Sequence, residues 1–230
     1  MIRPHRGVTL EYMYFKNRTQ AGKIIAKKLE PKYRYENCAV VALSDGAVVI
    51  GAEIAKQLHC VLSMLLTEDI TLPGERNPLA VVDQSGNFTY NSMFSTGQLE
   101  AFTGEYHSYI EQSKREQMHA INRLLGDGGL ISPELLRNHN VILVSDGLKN
   151  ALSLDAAAAF LKPIKIESTV VVTPFASVPA VDRMHLIGDD LVCLNVLENY
   201  MNTNHYYDDN KLPPHDKIIE TIQNIVIQWK

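Results

Sequence analysis

The stretch of the chain that decides the fold is residues 141–151, which reads VILVSDGLKNA. Residues 141–144 form an unbroken apolar run, which is typical of a strand buried on both faces of a parallel sheet. Ser145-Asp146-Gly147 ends this run with turn residues, and residues 151–161 follow as a predicted helix. The pattern therefore indicates a strand, a turn and a helix in succession.

The same three-part unit occurs once earlier in the chain. Residues 38–43 form an apolar strand pattern, and Ser44-Asp45-Gly46 predicts a turn. Residues 48–58 then carry apolar side chains at helical spacing, which predicts a second helix directly after a strand.

Other segments extend this alternation of strands and helices. Residues 18–29 predict an opening helix, and residues 61–66, 165–173 and 190–197 predict further strands. Repeated alternation predicts an α/β fold with a doubly wound, mostly parallel sheet and flanking helices. Because ligands of such sheets bind at the carboxyl ends of the strands, the two strand-to-helix turns are the candidate site.

The middle of the chain has a different character. Residues 71–91 contain several Pro, Gly and Asn residues and predict an irregular loop and a hairpin, and residues 99–125 predict one long amphipathic helix that covers the core. Residues 126–129, read GDGG, break the chain before the next strand. They are not a phosphate-binding loop of the GxxxxGK[ST] type, because no Lys-Ser or Lys-Thr follows.

Composition sets outer limits on function. A chain of 230 residues with 46% hydrophobic residues is expected to form one domain, residues 1–230. The net charge of −4 argues against a nucleic-acid partner. The sequence contains no run of about 18 apolar residues, so no membrane span is predicted, and residues 1–10 show no targeting pattern. Three widely spaced cysteines favour a reducing compartment, so we expect a cytoplasmic protein.

Two classes of site are not expected. The eight histidines show no recognised metal-ligand spacing, so no metal site is predicted. A serine hydrolase is not expected either, because no Gly-x-Ser-x-Gly motif occurs. Residues 205–209, read HYYDD, concentrate aromatic and polar side chains after the last strand, and either a pocket lining or a solvated loop fits them.

In their order and spacing, the two units resemble the type I phosphoribosyltransferases. Predicted bacterial members of that family carry ALPRGG and AAEIA near the start and VILVDDGIATG later. Here residues 42–47 read ALSDGA, residues 51–55 read GAEIA, and residues 141–151 read VILVSDGLKNA. Weaker matches at residues 15–22 and 72–80 extend the similarity over about residues 15–210.

The resemblance implies that the later loop cradles the 5-phosphate of phosphoribosyl pyrophosphate at a helix start, while two adjacent acids bind the ribose hydroxyls. Asp146 matches the second acid, and Ser145 replaces the first. The residues carried over to this phosphate and ribose site are Ser145, Asp146, Gly147, Leu148, Lys149, Asn150 and Ala151. Lys149-Asn150-Ala151 stands where the family has Ala-Thr-Gly, so Gly is lost at position 151.

The earlier loop, Ser44-Asp45-Gly46, corresponds to the family's pyrophosphate loop. Relatives place Arg or Lys against the pyrophosphate, whereas this chain has Asp45 there, and Asp69 stands near the flexible loop where many relatives have a basic residue. At about 5 Å and an effective dielectric of about 20, one unit charge pair is worth about 3 kcal/mol. Two such reversals predict lost or altered substrate use.

Two functions follow as expectations from this resemblance. The first is a catalytically degenerate phosphoribosyltransferase-like protein that binds a small phosphorylated metabolite or serves a regulatory role. The alternative is an active, Mg²⁺-dependent enzyme that transfers phosphoribosyl to a nitrogenous base. A small hood and flexible-loop region is also implied, and self-association into a homo-oligomer stays open. From the residues alone, Asp45-Gly46 and Asp146-Gly147 also fit simple turns without a ligand.

Overall fold

The computed structural model of the protein describes residues 14–125 and 131–225. Our expectations for residues 1–10 and 126–129 lie outside these ranges. The described helices are α1 (Arg18–Tyr33), α2 (Asp45–Leu58), α3 (Thr96–Glu105), α4 (His107–Leu125), α5 (Leu152–Leu161), α6 (Val178–Ile187) and α7 (His215–Gln223). The strands are β1 (Cys38–Ala42), β2 (Val61–Met64), β3 (Thr67–Ile70), β4 (Ala80–Asp83), β5 (Phe88–Tyr90), β6 (Asn140–Val144), β7 (Ser168–Ser177) and β8 (Asp190–Leu197).

The central sheet has five strands in the order β2-β1-β6-β7-β8, and every neighbouring pair is parallel. The predicted α/β class and the parallel sheet are therefore confirmed. The register places Ala42 opposite both Met64 and Val144, so β1, β2 and β6 end at the same level. The turns that follow these strands consequently share one edge of the sheet.

Both faces of the central sheet are buried, which explains the unbroken apolar runs. Val40 and Ile142 contribute to the core on the side that includes α1, α2 and α7, whereas Val41 and Val141 contribute to the core that includes α5 and α6. Successive strand residues point to opposite faces. A strand covered by helices on both faces needs apolar residues at every position.

A second, antiparallel sheet with the order β3-β4-β5 lies against α4 and α5. Val81 of β4 packs on Leu152 and Ala156 of α5, and Ala80 packs with Ile110 of α4. The loop and hairpin expected for residues 71–91 are confirmed, because β4 and β5 pair there as an antiparallel hairpin, whereas β3, which lies before them, was not predicted. Its residues, Thr-Glu-Asp-Ile, give a weak strand signal.

Several predicted boundaries were wrong. The single helix expected over residues 99–125 is interrupted at Tyr106, whose φ of −107° and ψ of 20° leave the helical region, and Gly104 weakens the last turn of α3. Helix α2 begins at Asp45 rather than at residue 48, because Ser44 caps it by accepting a hydrogen bond from the Ala47 N–H at 3.0 Å. Helix α1 continues to Tyr33, β2 ends at Met64, and β7 covers Ser168–Ser177.

Within the described ranges, no helix is long and apolar enough to cross a membrane.

Candidate functional site

The candidate site lies where the strand order of the central sheet reverses. From β1 the chain moves outward to β2 and later returns to β6 on the other side of β1. In open α/β sheets this switch point leaves a crevice at the carboxyl ends of the two strands. Here the crevice is a pocket of about 390 Å³. Its lining residues are Arg18, Ser44, Asp45, Gly46, Leu66, Glu68, Leu124, Asp146, Thr203, Asn204, Leu212 and His215.

Asp146 is held by an ion pair inside this pocket. The Nε of Arg18 donates to Asp146 Oδ2 at 2.7 Å, and the hydroxyl of Ser44 donates to Asp146 Oδ1 at 2.8 Å. The Arg18 side chain is only 4% exposed. Both carboxylate oxygens of Asp146 are therefore engaged by the protein itself, and the two predicted loops are joined directly through Ser44 and Asp146.

Arg18 also fastens the segment that follows β8. Its Nη2 donates to Asn204 Oδ1 at 2.7 Å, and its Nη1 donates to the carbonyl oxygen of Asn210 at 3.3 Å. The guanidinium lies 4.5 Å from the ring centroid of Tyr207, whose hydroxyl donates to the carbonyl oxygen of Asp146 at 2.8 Å. Burial raises the pKa of Tyr207, so the phenol stays protonated and keeps this donor.

Asp45 occupies the first turn of α2 and pairs with His215. The Nδ1 of His215 lies 2.9 Å from Asp45 Oδ1 and 3.0 Å from Asp45 Oδ2. Burial lowers the pKa of His215, but the hydrogen bond and charge of Asp45 outweigh it, and the pKa lies above the usual value. Asp45 is thus already matched to a partner within the chain.

Gly46 allows the two loops to touch. A Cβ built at this position would collide with the carboxyl group of Asp146 and would lie 2.6 Å from the Nε of Arg18. Gly147 is confined in a similar way, because a Cβ there would collide with the hydroxyl of Tyr200 and the ring of Phe175. The glycines of both turns are therefore required by close approach, and neither has a positive φ.

Of the residues predicted for the phosphate and ribose site, only Asp146 is among those that line the pocket. Asp146 lines the pocket, whereas Ser145 is buried and its hydroxyl accepts from the Gly147 N–H at 3.3 Å. Leu148 is buried, and its N–H donates to the carbonyl oxygen of Phe175 at 3.0 Å.

The remainder of this loop lies at the protein surface before α5. Lys149 is exposed, Asn150 and Ala151 are half-buried, and Asn150 Oδ1 accepts from the Leu152 N–H at 3.2 Å. The hydroxyl of Ser177 donates to the carbonyl oxygen of Lys149 at 2.8 Å. A basic side chain and a helix start are thus adjacent in this stretch.

Sequence reasoning missed much of the pocket wall. Arg18 stood in the weakly matching opening segment, but nothing in its local pattern indicated that it would reach Asp146. Asn204 and His215 come from the far end of the chain, and no motif marked them. Glu68 lines the pocket, whereas Asp69, the acid singled out from the sequence, is exposed. Neighbouring strand residues point in opposite directions, which explains that difference.

Residues 205–209 are, as a whole, neither a pocket lining nor a solvated loop. Tyr206 and Tyr207 are 5% and 3% exposed and pack in the core with Phe175, while Asp208 and Asp209 are exposed. The ring centroids of Phe175 and Tyr206 lie 4.8 Å apart. The segment therefore anchors the polypeptide after β8, and a hood over a ligand stays a prediction.

Ser145 and Asp146, which the resemblance predicts at the positions of two adjacent acids, do not fit a magnesium site built by the protein. Ser145 has no carboxylate, and Asp146 already holds the guanidinium of Arg18, which would repel a dication bound to the same carboxylate. In the described part of the chain, no group of three or more His, Cys, Asp or Glu side chains could hold a metal ion.

Comparisons with known proteins found a matching family model and several similar structures. Residues 13–208 match a family model described as "Phosphoribosyl transferase domain". The protein TT1426 from Thermus thermophilus has a TM-score of 0.71 at 23% sequence identity, over 94% of this chain and 100% of that chain. A purine phosphoribosyltransferase from Pyrococcus horikoshii has a TM-score of 0.44 at 11% identity, over 84% and 90%. A hypothetical protein from Neisseria gonorrhoeae with bound ppGpp has a TM-score of 0.47 at 11% identity, over 91% and 94%.

Proposed function

Because the chain belongs to the phosphoribosyl transferase domain family, we propose that it binds a phosphorylated metabolite on the family's fold without transferring phosphoribosyl. The observation that carries the proposal is the engagement of Asp146. Both of its carboxylate oxygens already accept hydrogen bonds from Arg18 and Ser44. A ribose diol would have to displace buried, charge-assisted contacts to reach this carboxylate.

The charges of the pocket also oppose pyrophosphate. Asp45, Glu68 and Asp146 face the pocket, and only Arg18 and His215 supply positive charge there among its lining residues. Each of these two cationic groups is already paired with one of the acids. A pyrophosphate group would therefore meet unbalanced negative charge, at about 3 kcal/mol for each unit pair at about 5 Å before screening.

A single phosphate group is better placed on residues 149–151. Lys149 offers an exposed ammonium group, and the start of α5 offers the positive end of the helix dipole, while its Leu152 N–H already donates to Asn150 Oδ1. This stretch lies outside the lining of the acidic pocket. The ligand class that we propose is a metabolite with a phosphate group bound at residues 149–151. The rest of the molecule would lie away from the acidic residues of the pocket.

Replacing Lys149 by alanine is expected to weaken the binding of inorganic phosphate about tenfold, because one charge-assisted contact is lost. Isothermal titration at low ionic strength measures the affinity. The matched control is Lys162→Ala, which removes an exposed lysine just after the other end of α5. Equal affinity of the wild type and Lys149→Ala would remove this loop from the proposed site.

The absence of transfer is tested with phosphoribosyl pyrophosphate, Mg²⁺ and a panel of purine and pyrimidine bases. We expect no pyrophosphate release above the rate without protein, whichever base is present. Calorimetry under the same conditions reports binding separately from turnover. Release of pyrophosphate that depends on the protein would contradict the proposal and would establish the active, Mg²⁺-dependent alternative.

A further inference from the structure

Both ring nitrogens of His215 face groups that can only accept hydrogen bonds. Nδ1 lies 2.9 and 3.0 Å from the two carboxylate oxygens of Asp45, and Nε2 lies 3.0 Å from the backbone carbonyl oxygen of Leu124. A neutral imidazole carries one N–H group, whereas an imidazolium carries two. Only the protonated ring satisfies both contacts at once.

These contacts join three helices around the mouth of the pocket. His215 begins α7, Asp45 begins α2, and Leu124 lies in the last turn of α4. His215, Asp45 and Leu124 all line the pocket, as does Leu212 just before α7. One wall of the pocket therefore belongs to the C-terminal segment, and the imidazole connects that wall to α2 and α4.

The strap is defined as residues 210–215. At its start, the carbonyl oxygen of Asn210 accepts from Arg18 at 3.3 Å, and at its end His215 makes the contacts described above. Its other hydrogen bonds are local, since the Lys211 N–H donates to Asp209 Oδ1 at 3.2 Å and the carbonyl oxygen of Pro214 accepts from the first turn of α7. Residues 211–214 are exposed, and Pro213 and Pro214 have no N–H to donate. Position 215 is thus the main point at which the strap is fastened across the pocket.

We propose that His215 is a protonation-dependent clasp, whose imidazolium form holds the strap across the pocket and whose neutral form releases it. A neutral ring must give up either the Asp45 carboxylate or the Leu124 carbonyl, so one of the two polar contacts that position 215 makes with α2 and α4 is lost. The buried side chains of Ile218 and Ile225 keep α7 on the core during this change. The clasp sets access to the pocket, whichever ligand enters it.

The charged groups around the ring determine the direction of the pH dependence. The carboxylate of Asp45 on α2 faces the imidazole, and the negative charge of Asp216 on α7 also raises the pKa of His215. Helix α4 contributes the uncharged carbonyl group of Leu124. Glu68 and the Arg18–Asp146 pair line the same pocket.

The balance of these groups raises the pKa of His215 above its usual value. A group with a raised folded-state pKa stabilises fully below its unfolded value of about 6.5, and this contribution is lost as the pH rises through the folded-state pKa. The clasp is therefore closed in acid and opens toward alkaline pH.

Nitrogen-15 NMR of the histidine rings tests the protonation state directly in the full-length protein. At about pH 6 we expect both ring nitrogens of His215 to be protonated. We expect the ring to lose one proton at a higher pH than an exposed histidine, whose usual pKa is about 6.5. Hydrogen exchange of peptides covering the strap, compared between wild type and His215→Gln at each pH, reports closure. The wild type should exchange about tenfold more slowly at about pH 6, and the difference should vanish at alkaline pH.

His185→Gln, which alters an exposed histidine on α6, is the matched control and should leave strap exchange unchanged. Asp45→Asn should lower the pKa of His215, which keeps the test decisive if His215→Gln does not fold. A single neutral tautomer of His215 at about pH 6 would overturn the proposal. A folded His215→Gln protein with unchanged strap exchange at every pH would overturn it as well.

Discussion

Replacing Arg18 by alanine is expected to lower the free energy of unfolding by about 3–5 kcal/mol, which is the usual cost of removing one partner from a buried ion pair. The substitution leaves the Asp146 carboxylate without its cation in a largely buried site. It also removes the stacking on Tyr207 and the hydrogen bond to Asn204. Urea unfolding followed by circular dichroism measures the change, provided that the slope m is similar for both proteins.

Arg137→Ala is the control for this prediction, because its ion pair with Glu134 is exposed and should contribute at most about 1 kcal/mol. The Arg18→Ala/Asp146→Ala double variant should lose less stability than the sum of the two single variants, since the pair acts as a unit. A loss below about 1 kcal/mol for Arg18→Ala would show that this ion pair is not buried in solution.

Replacing Gly46 by alanine is expected to destabilise the protein by about 2–3 kcal/mol, near the upper end of the usual cost of overpacking. The new Cβ would collide with the carboxyl group of Asp146 and lie 2.6 Å from Arg18 Nε. These atoms cannot move away freely, because each is held by the buried ion pair. Alanine favours a helix over glycine by about 1 kcal/mol, which offsets only part of the steric cost.

Gly104→Ala provides a control with the opposite sign. Gly104 lies in the last turn of α3, and a Cβ built there has no heavy atom within 4 Å. The helix propensity of alanine then acts alone and should stabilise the protein by about 0.5–1 kcal/mol. Thermal unfolding of both variants shows whether each substitution raises or lowers the stability of the protein. If Gly46→Ala were as stable as the wild type, the close contact between the two loops would not exist in solution.

The sequence was sufficient to predict the central sheet because the relevant signals are local. Residues 141–144 are apolar without interruption, and this pattern arises when a strand is covered on both faces. The turn residues after β1 and β6 likewise marked the two strand ends. Since parallel strands present their carboxyl ends at one edge, Ser44 and Asp146 could be expected near the same crevice.

The partners within that crevice depended on contacts between distant parts of the chain. Arg18 reaches Asp146, and His215 reaches Asp45, only after α1 and α7 have packed on the same face of the sheet. Hydrophobic periodicity predicts that a helix packs against a sheet, but it does not specify which polar side chains will meet at its ends. Local sequence alone therefore determined the parallel α/β architecture and the position of the crevice. The tertiary structure decided which charges are paired there, because ion pairing depends on distances of a few ångströms between residues far apart in sequence.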